Sequence, residues 1–339
     1  MLALGFVVRM MGCEKGWVIS VRCKLKLLGK MWFVLILLFI VGQLNAAPSG
    51  VGSGMVRIPA GEFIMGSDLQ DKDGRRTKEY GMGKPLYLDE HPQRRLFLET
   101  FDIDLTEVTN SQYRVFVIER NFWVPEQWKK NGYLLSRRVL NIADVETLRR
   151  LAVEKYRLDM DTRAMDKTSL IDAMDKARLA LDSLAVTSVN WHEAKAYCDS
   201  VGKRLPTEME WEKAARGADG NEFPWGDIWD KMRANTGDGL NWEHGVAPVG
   251  SYSQGRSPYG VFDMAGNVME WVSDWYQPYP GAEYSADDFG EQNKVVRGGG
   301  WGGVGHYAVS QFYRGAYRFY LTPKARYSDL GFRCARSVR

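Results

Sequence analysis

From Ala218 to Arg339 the chain has no long run of apolar residues at helix or strand spacing; it is a succession of turns punctuated by large aromatic side chains. Bundles and solenoids need periodic segments or repeats of fixed length, so both are excluded for this half. Thirty-five glycines, 12 tryptophans and 16 tyrosines in 339 residues fit a loop-rich fold. Glycine admits the positive φ angles of tight turns, and large rings fill the core that the loops enclose.

The charge is nearly balanced, with 45 basic and 42 acidic residues and a net charge of +3. A dense basic face is missing, so nucleic acid is not an expected partner. The N-terminus carries a targeting pattern. Lys24, Lys26 and Lys30 precede the apolar run Trp32 to Val41, and Asn45-Ala46-Ala47 follows it. A basic segment, a short apolar segment and a small-residue exit describe a signal peptide, and ten apolar residues are too few for a comfortable span. Residues 1–47 are therefore expected to be an N-terminal extension with a signal peptide, and the protein periplasmic or secreted. Membrane contact is expected only through this segment if it stays uncleaved. Met11 and Met31 are alternative starts. Cys13 and Cys23 would leave with the extension, so the mature chain keeps Cys198 and Cys334. An even pair in an oxidising compartment reads as a disulfide or, alternatively, as two separate buried thiols.

Residues 48–54 (PSGVGSG) form a flexible linker into a domain spanning 55–337. Met55 to Gly66 predicts two short strands around Pro59-Ala60-Gly61, residues 67–95 a polar surface loop, and Phe97 to Asp104 a strand. Thr109-Asn110-Ser111 predicts the cap of a helix from Gln112 to about Glu119. Residues 124–185 read as a helical insertion, charged and amphipathic. It is either a solvated excursion or a docking surface for an envelope protein partner. Trp191 to Ser200 predicts a helix with Ala194, Tyr197 and Cys198 inward, and Thr207 with Glu210 a capping box for the next one.

Eight segments in order then carry a resemblance. They are Val56 to Gly66 (VRIPAGEFIMG), Glu107 to Asn110 (EVTN), Gly202 to Glu212 (GKRLPTEMEWE), Ala215 to Gly217 (ARG), Phe223 to Gly226 (FPWG), Gly260 to Trp271 (GVFDMAGNVMEW), Arg297 to Gly299 (RGG) and Gly331 to Arg333 (GFR). Together they resemble the formylglycine-generating enzyme, or sulfatase-modifying factor, family. The resemblance covers about 55–117 and 188–336. It implies an α+β, loop-rich fold with a C-type-lectin-like core, here with the helical insertion, and a structural disulfide partner at Cys334.

The resemblance also implies calcium as a cofactor, held by Asp263, Gly266, Val268 and Glu270, the middle two through carbonyls. Calcium takes six to eight oxygens, and this turn offers carboxylates and carbonyls; the alternative is a tight turn with Glu270 paired to an arginine. A second calcium set implied at Asn235 and Thr236 departs from the family spacing after Thr236. Catalysis is where the pattern fails. The family's oxidase binds copper and the substrate thiol with two cysteines after a glycine-rich turn, and cuprous ion prefers thiolate. Here the matching positions hold Gly303 and Ala308, or Ser310 if a gap is moved, and no cysteine lies between 199 and 333.

The last segment interleaves rings and arginines. Trp301, His306, Tyr307, Phe312, Tyr313, Arg314, Tyr317 and Arg318 are the candidate ligand-binding residues, with a protein or small-molecule ligand expected in a C-terminal cleft. The same rings could instead fill the core. The leading expectation is an exported, non-catalytic, calcium-stabilised binding or scaffold domain. Its rivals are an oxygen-dependent oxidase of sulfatase-type peptides or a small metabolite, a structural subunit of an envelope or secretion complex, and a ligand-binding protein with a diversified C-terminal face.

Overall fold

The computed structural model describes residues 11–13, 16–18, 54–79, 86–237, 245–302 and 310–338. The chain divides into two units, Met1–Ser49 and Gly50–Arg339. In the first, Met11–Cys13 (β1) and Gly16–Val18 (β2) pair antiparallel. The apolar run 32–41 lies outside the described residues, and no described helix is long and apolar enough to cross a membrane.

The second unit is α+β. Met55–Ile58 (β3) and Gly61–Met65 (β4) flank the expected Pro-Ala-Gly corner but do not pair with each other. Instead β3 pairs with Phe101–Asp104 (β6), and β4 with Arg94–Leu98 (β5). The Lys213 ammonium fixes the corner by donating to the carbonyls of Pro59 at 2.8 Å and Gly61 at 3.0 Å. The expected single strand 97–104 is thus two strands, broken between Leu98 and Phe101. The expected surface loop 67–95 needs a larger correction. It holds Arg75–Glu79 (α1) and the buried turn Leu86–Glu90, whose Leu86 and Tyr87 pack on Phe312 and Tyr317.

Helix ends follow the side-chain caps. Asn110–Arg120 (α2) begins at Thr109, Trp191–Ser200 at Asn190 and Glu208–Arg216 at Thr207, each with a reciprocal capping box. Within residues 124–185 lie Glu126–Lys130 (α3), Arg137–Ile142 (α4), Val145–Glu154 (α5) and Lys167–Ala180 (α6). Trp191–Ser200 is α7 and Glu208–Arg216 is α8. The insertion has a small core of its own around Leu140, Leu148, Leu170 and Met174. It is also rooted in the main core. Trp128 and Tyr133 are buried with Tyr113, and the Trp128 indole donates to Asn110 Oδ1 at 2.8 Å.

The central sheet has the order β10-β7-β8-β9, formed by Leu330–Phe332 (β10), Met269–Trp275 (β7), Lys294–Arg297 (β8) and Phe319–Leu321 (β9). Ala335–Ser337 (β11) returns to pair with β6. Just before β11, Cys334 is bonded to Cys198 of α7, Cα to Cα 5.7 Å, with both residues fully buried. This link ties the chain end to a helix 136 residues earlier.

Candidate functional site

The site is organised by one face of α8. Glu208, Glu212 and Arg216 are spaced i, i+4 and i+8, so they project together. They meet Arg297 at the end of β8 and Arg318 before β9. Glu212 accepts from Arg216 and Arg297, each at 2.5 Å, and from the Gly66 amide at 2.7 Å. Glu208 accepts from Arg318 Nε at 2.7 Å and Nη2 at 3.0 Å, and from Arg297 at 3.1 Å. All five side chains are buried. Buried charges persist only when paired and hydrogen-bonded, and here each guanidinium also donates to backbone carbonyls, including those of Gly315 and Asp89. The network fixes residues 314–318 against the helix.

After Arg297 the chain turns through Gly298 and Gly299 at φ 92° and 69°. A Cβ on Gly299 would lie 2.8 Å from both the Phe312 carbonyl and the Tyr313 ring, so glycine is required there sterically and conformationally.

Beside this turn opens a cleft of about 860 Å³, bounded by Ser67, Asp68, Tyr87, Trp229, Ser310 and Arg314 among others. Trp229 stacks on Tyr313, ring centres 5.4 Å apart and planes at 15°. Arg314 is clamped by Glu90 at 2.8 Å and by Glu222, and its guanidinium lies over Tyr87. Its Nη2 is buried and has no hydrogen-bond partner among the described residues. That nitrogen is a donor suited to an acceptor oxygen, and the cation is already neutralised by two carboxylates.

Of the candidate ligand residues, the structure brings Arg314 to the cleft wall. Phe312 and Tyr317 are core residues, Tyr313 backs Trp229 while donating to the Gly300 carbonyl at 3.1 Å, and Arg318 belongs to the α8 network. Trp301 is half-buried, its indole nitrogen buried without a partner among the described residues. His306, Tyr307, Gly303 and Ala308 lie outside the described residues, and Ser310 lines the cleft.

The turn 263–270 is held by buried side-chain hydrogen bonds. Glu270 accepts from Arg333 Nε at 2.7 Å and Nη2 at 2.6 Å, and from the Trp211 indole at 2.9 Å. Both partners are fully buried. A guanidinium therefore already neutralises Glu270, the alternative the sequence left open beside calcium for this turn. Gly266 and Val268 are buried backbone positions here, and Asp263 accepts from the Gly250 amide at 2.6 Å. No group of three or more His, Cys, Asp or Glu among the described residues is arranged to hold a metal.

The second set offers more. Asn235 is buried, and its Oδ1 has no partner among the described residues, while Nδ2 donates to Asn267 Oδ1 at 3.1 Å. Asn267 in turn donates to Glu107 at 2.9 Å, whose other oxygen has no donor among the described residues. Burial first, and then the charge of Asp263, pushes the Glu107 carboxyl well above the usual range. Thr236 is buried beside Asn235. Glu107 falls within the Glu107 to Asn110 segment, but its partner Asn267 lies 160 residues away, and no local pattern announces it.

A second feature went unforeseen. Lys294 is 3% exposed, its ammonium 4.1 Å from the Trp191 ring centre and 3.7 Å from that of Trp275. Burial pushes its pKa down to about 8.

Comparison with known proteins adds the following. The sulfatase-modifying factor enzyme 1-like domain matches residues 42–338. "Inactive C-alpha-formylglycine-generating enzyme 2" of Bos taurus is 29% identical over 313 residues, covering 88% of this chain and 94% of its own. The "Formylglycine-generating enzyme" of Streptomyces coelicolor is 31% identical over 298 residues, covering 83% and 88%. Among solved structures, PvdO from Pseudomonas aeruginosa aligns with a TM-score of 0.53 at 25% identity, over 84% of this chain and 94% of that one. Inactive and active relatives are about equally similar, so overall identity does not decide activity.

Proposed function

The chain belongs to the sulfatase-modifying factor enzyme 1-like family, and on that premise we propose that it is a non-catalytic binding or scaffold domain acting outside the cytoplasm. One observation carries the reading. Cys198 and Cys334 are bonded to each other, and residues 199–333 contain no cysteine. A soft copper ion then finds no thiolate in the domain, and a substrate thiol finds no partner. The α8 ion network and the Gly299 turn lie in two of the segments that carry the family resemblance, Gly202 to Glu212 and Arg297 to Gly299. The cleft beside that turn, with Arg314 and Trp229 on its walls, suits a ligand presenting a carbonyl or hydroxyl oxygen beside an apolar or aromatic group. Export rests on the basic and apolar pattern before residue 48.

Calcium enters this proposal only through the Asn235 region. Asn235 Oδ1 and Glu107 Oε2, on the two side chains that flank the Asn267 amide, would be the first ligands, and calcium there would neutralise buried acid. Calorimetry of the full chain in calcium and in excess chelator tests this. A lower melting temperature in chelator for the wild type, absent in Asn235→Ala, supports it, and an unchanged temperature removes it. The non-catalytic part fails if a Cys-x-Pro-x-Arg peptide becomes an aldehyde in the presence of the protein, copper and oxygen.

A further inference from the structure

A cavity of about 590 Å³ opens where the helical insertion meets the main domain. Lys130 at the end of α3, Lys155 and Arg157 after α5, and Arg326 before β10 all line it. Against these four cations the lining supplies one carboxylate, Glu126, which lies 3.2 Å from Lys129. Arg326 is paired with Glu193 at 2.6 Å. Among the described residues no carboxylate lies within ion-pair distance of Lys130, Lys155 or Arg157. The Lys155 ammonium hydrogen-bonds, among the described residues, only to the Lys129 carbonyl, at 3.2 Å. Elsewhere in the domain Arg137 has Asp172 and Lys195 has Asp199 as acidic partners.

The backbone gives a second, independent indication. Six non-glycine residues described here have positive φ, and two of them, Arg157 at 49° and Ser188 at 59°, line this one cavity. Left-handed backbone at an arginine is unfavourable, and such conformations concentrate where a side chain must be aimed. Ser188 and Ser328 add hydroxyls to the wall, and Tyr156 and Leu181 an apolar side.

We propose that this cavity is a binding site for a small organic anion of the phosphate- or sulfate-ester class. Guanidinium and ammonium groups match the oxygens of such a head group, and the hydroxyls serve those left over. The volume exceeds what the head group fills, so the tyrosine and leucine side takes the organic body. This site is separate from the cleft at Arg314 and does not depend on the reading given to that cleft. It also gives the insertion a role: α3 and the end of α5 supply three of the four cations.

The test is calorimetric titration of the full chain with inorganic pyrophosphate at low salt, with inorganic sulfate and succinate as comparison anions. Saturable one-to-one binding of pyrophosphate is expected, weakening as salt rises. Lys155→Ala with Arg157→Ala should weaken it about tenfold or more, while Lys231→Ala, remote from the cavity lining, should not. Arg157→Gly is the variant that keeps the fold, because glycine accepts the positive φ, and it too should lose affinity. Absent pyrophosphate binding, binding unchanged in both Arg157 variants, or an equal loss in Lys231→Ala overturns the site. Succinate binding as well as pyrophosphate and sulfate overturns the ligand class.

Discussion

Arg333 faces Glu270 through two parallel hydrogen bonds of 2.7 and 2.6 Å, in a place solvent does not reach. The pair ties the chain just after β10 to β7. Removing one partner leaves the other charge buried and alone. Arg333→Met or Glu270→Gln should each cost about 3–5 kcal/mol of stability, read from denaturant unfolding. The double variant should recover part of that loss; a simple sum of the two single losses would contradict the pairing.

The disulfide closes a loop of 136 residues. In the chain-entropy model such a link is worth about 5 kcal/mol, so Cys198→Ser with Cys334→Ser should unfold at markedly lower denaturant concentration. Peptide mapping without reductant should recover Cys198 and Cys334 in one linked fragment.

Two tryptophans separated by four residues should behave oppositely. Trp128 is 3% exposed and hydrogen-bonded to Asn110, whereas Trp123 is 55% exposed. Trp128→Ala should cost about 3–5 kcal/mol, and Trp123→Ala within about 0.5 kcal/mol of nothing. Equal costs would mean that the insertion is not rooted in the main core.

Lys294 gives a pH signature. Its folded pKa is depressed to about 8 from the usual 10.5, so between those values the unfolded chain holds more protons than the folded one. Stability contributed through this residue therefore rises with pH across that window. Measured against Lys294→Met, the wild type should gain stability from about pH 8 to pH 10.5, and a flat difference would place the ammonium in water.

Helix boundaries were legible because their determinants are local: Thr109, Asn190 and Thr207 cap the helices their sequence spacing predicts. Strand partners were not. The corner at Pro59 reads only as a turn between two short strands; Lys213, 154 residues later, holds it while β3 and β4 go to different sheets. The segment 67–95 looks like surface by composition, yet Asp89 and Glu90 are buried because Tyr276 and Arg314 reach them from far along the chain. The same blindness affected the site. A carboxylate at Glu270 reads alike whether a cation or a guanidinium 63 residues away neutralises it. Rings such as Phe312 and Tyr317 carry no periodic signal to separate a core face from a binding face.

The central claim is that this scaffold has no oxidising thiol chemistry. The most direct measurement incubates the full chain with a Cys-x-Pro-x-Arg peptide, cuprous ion and oxygen, beside the Streptomyces coelicolor relative, and captures aldehyde with a hydrazide. The account predicts product from the relative and none from this chain. Aldehyde formed by this chain at a rate comparable with the relative would contradict it.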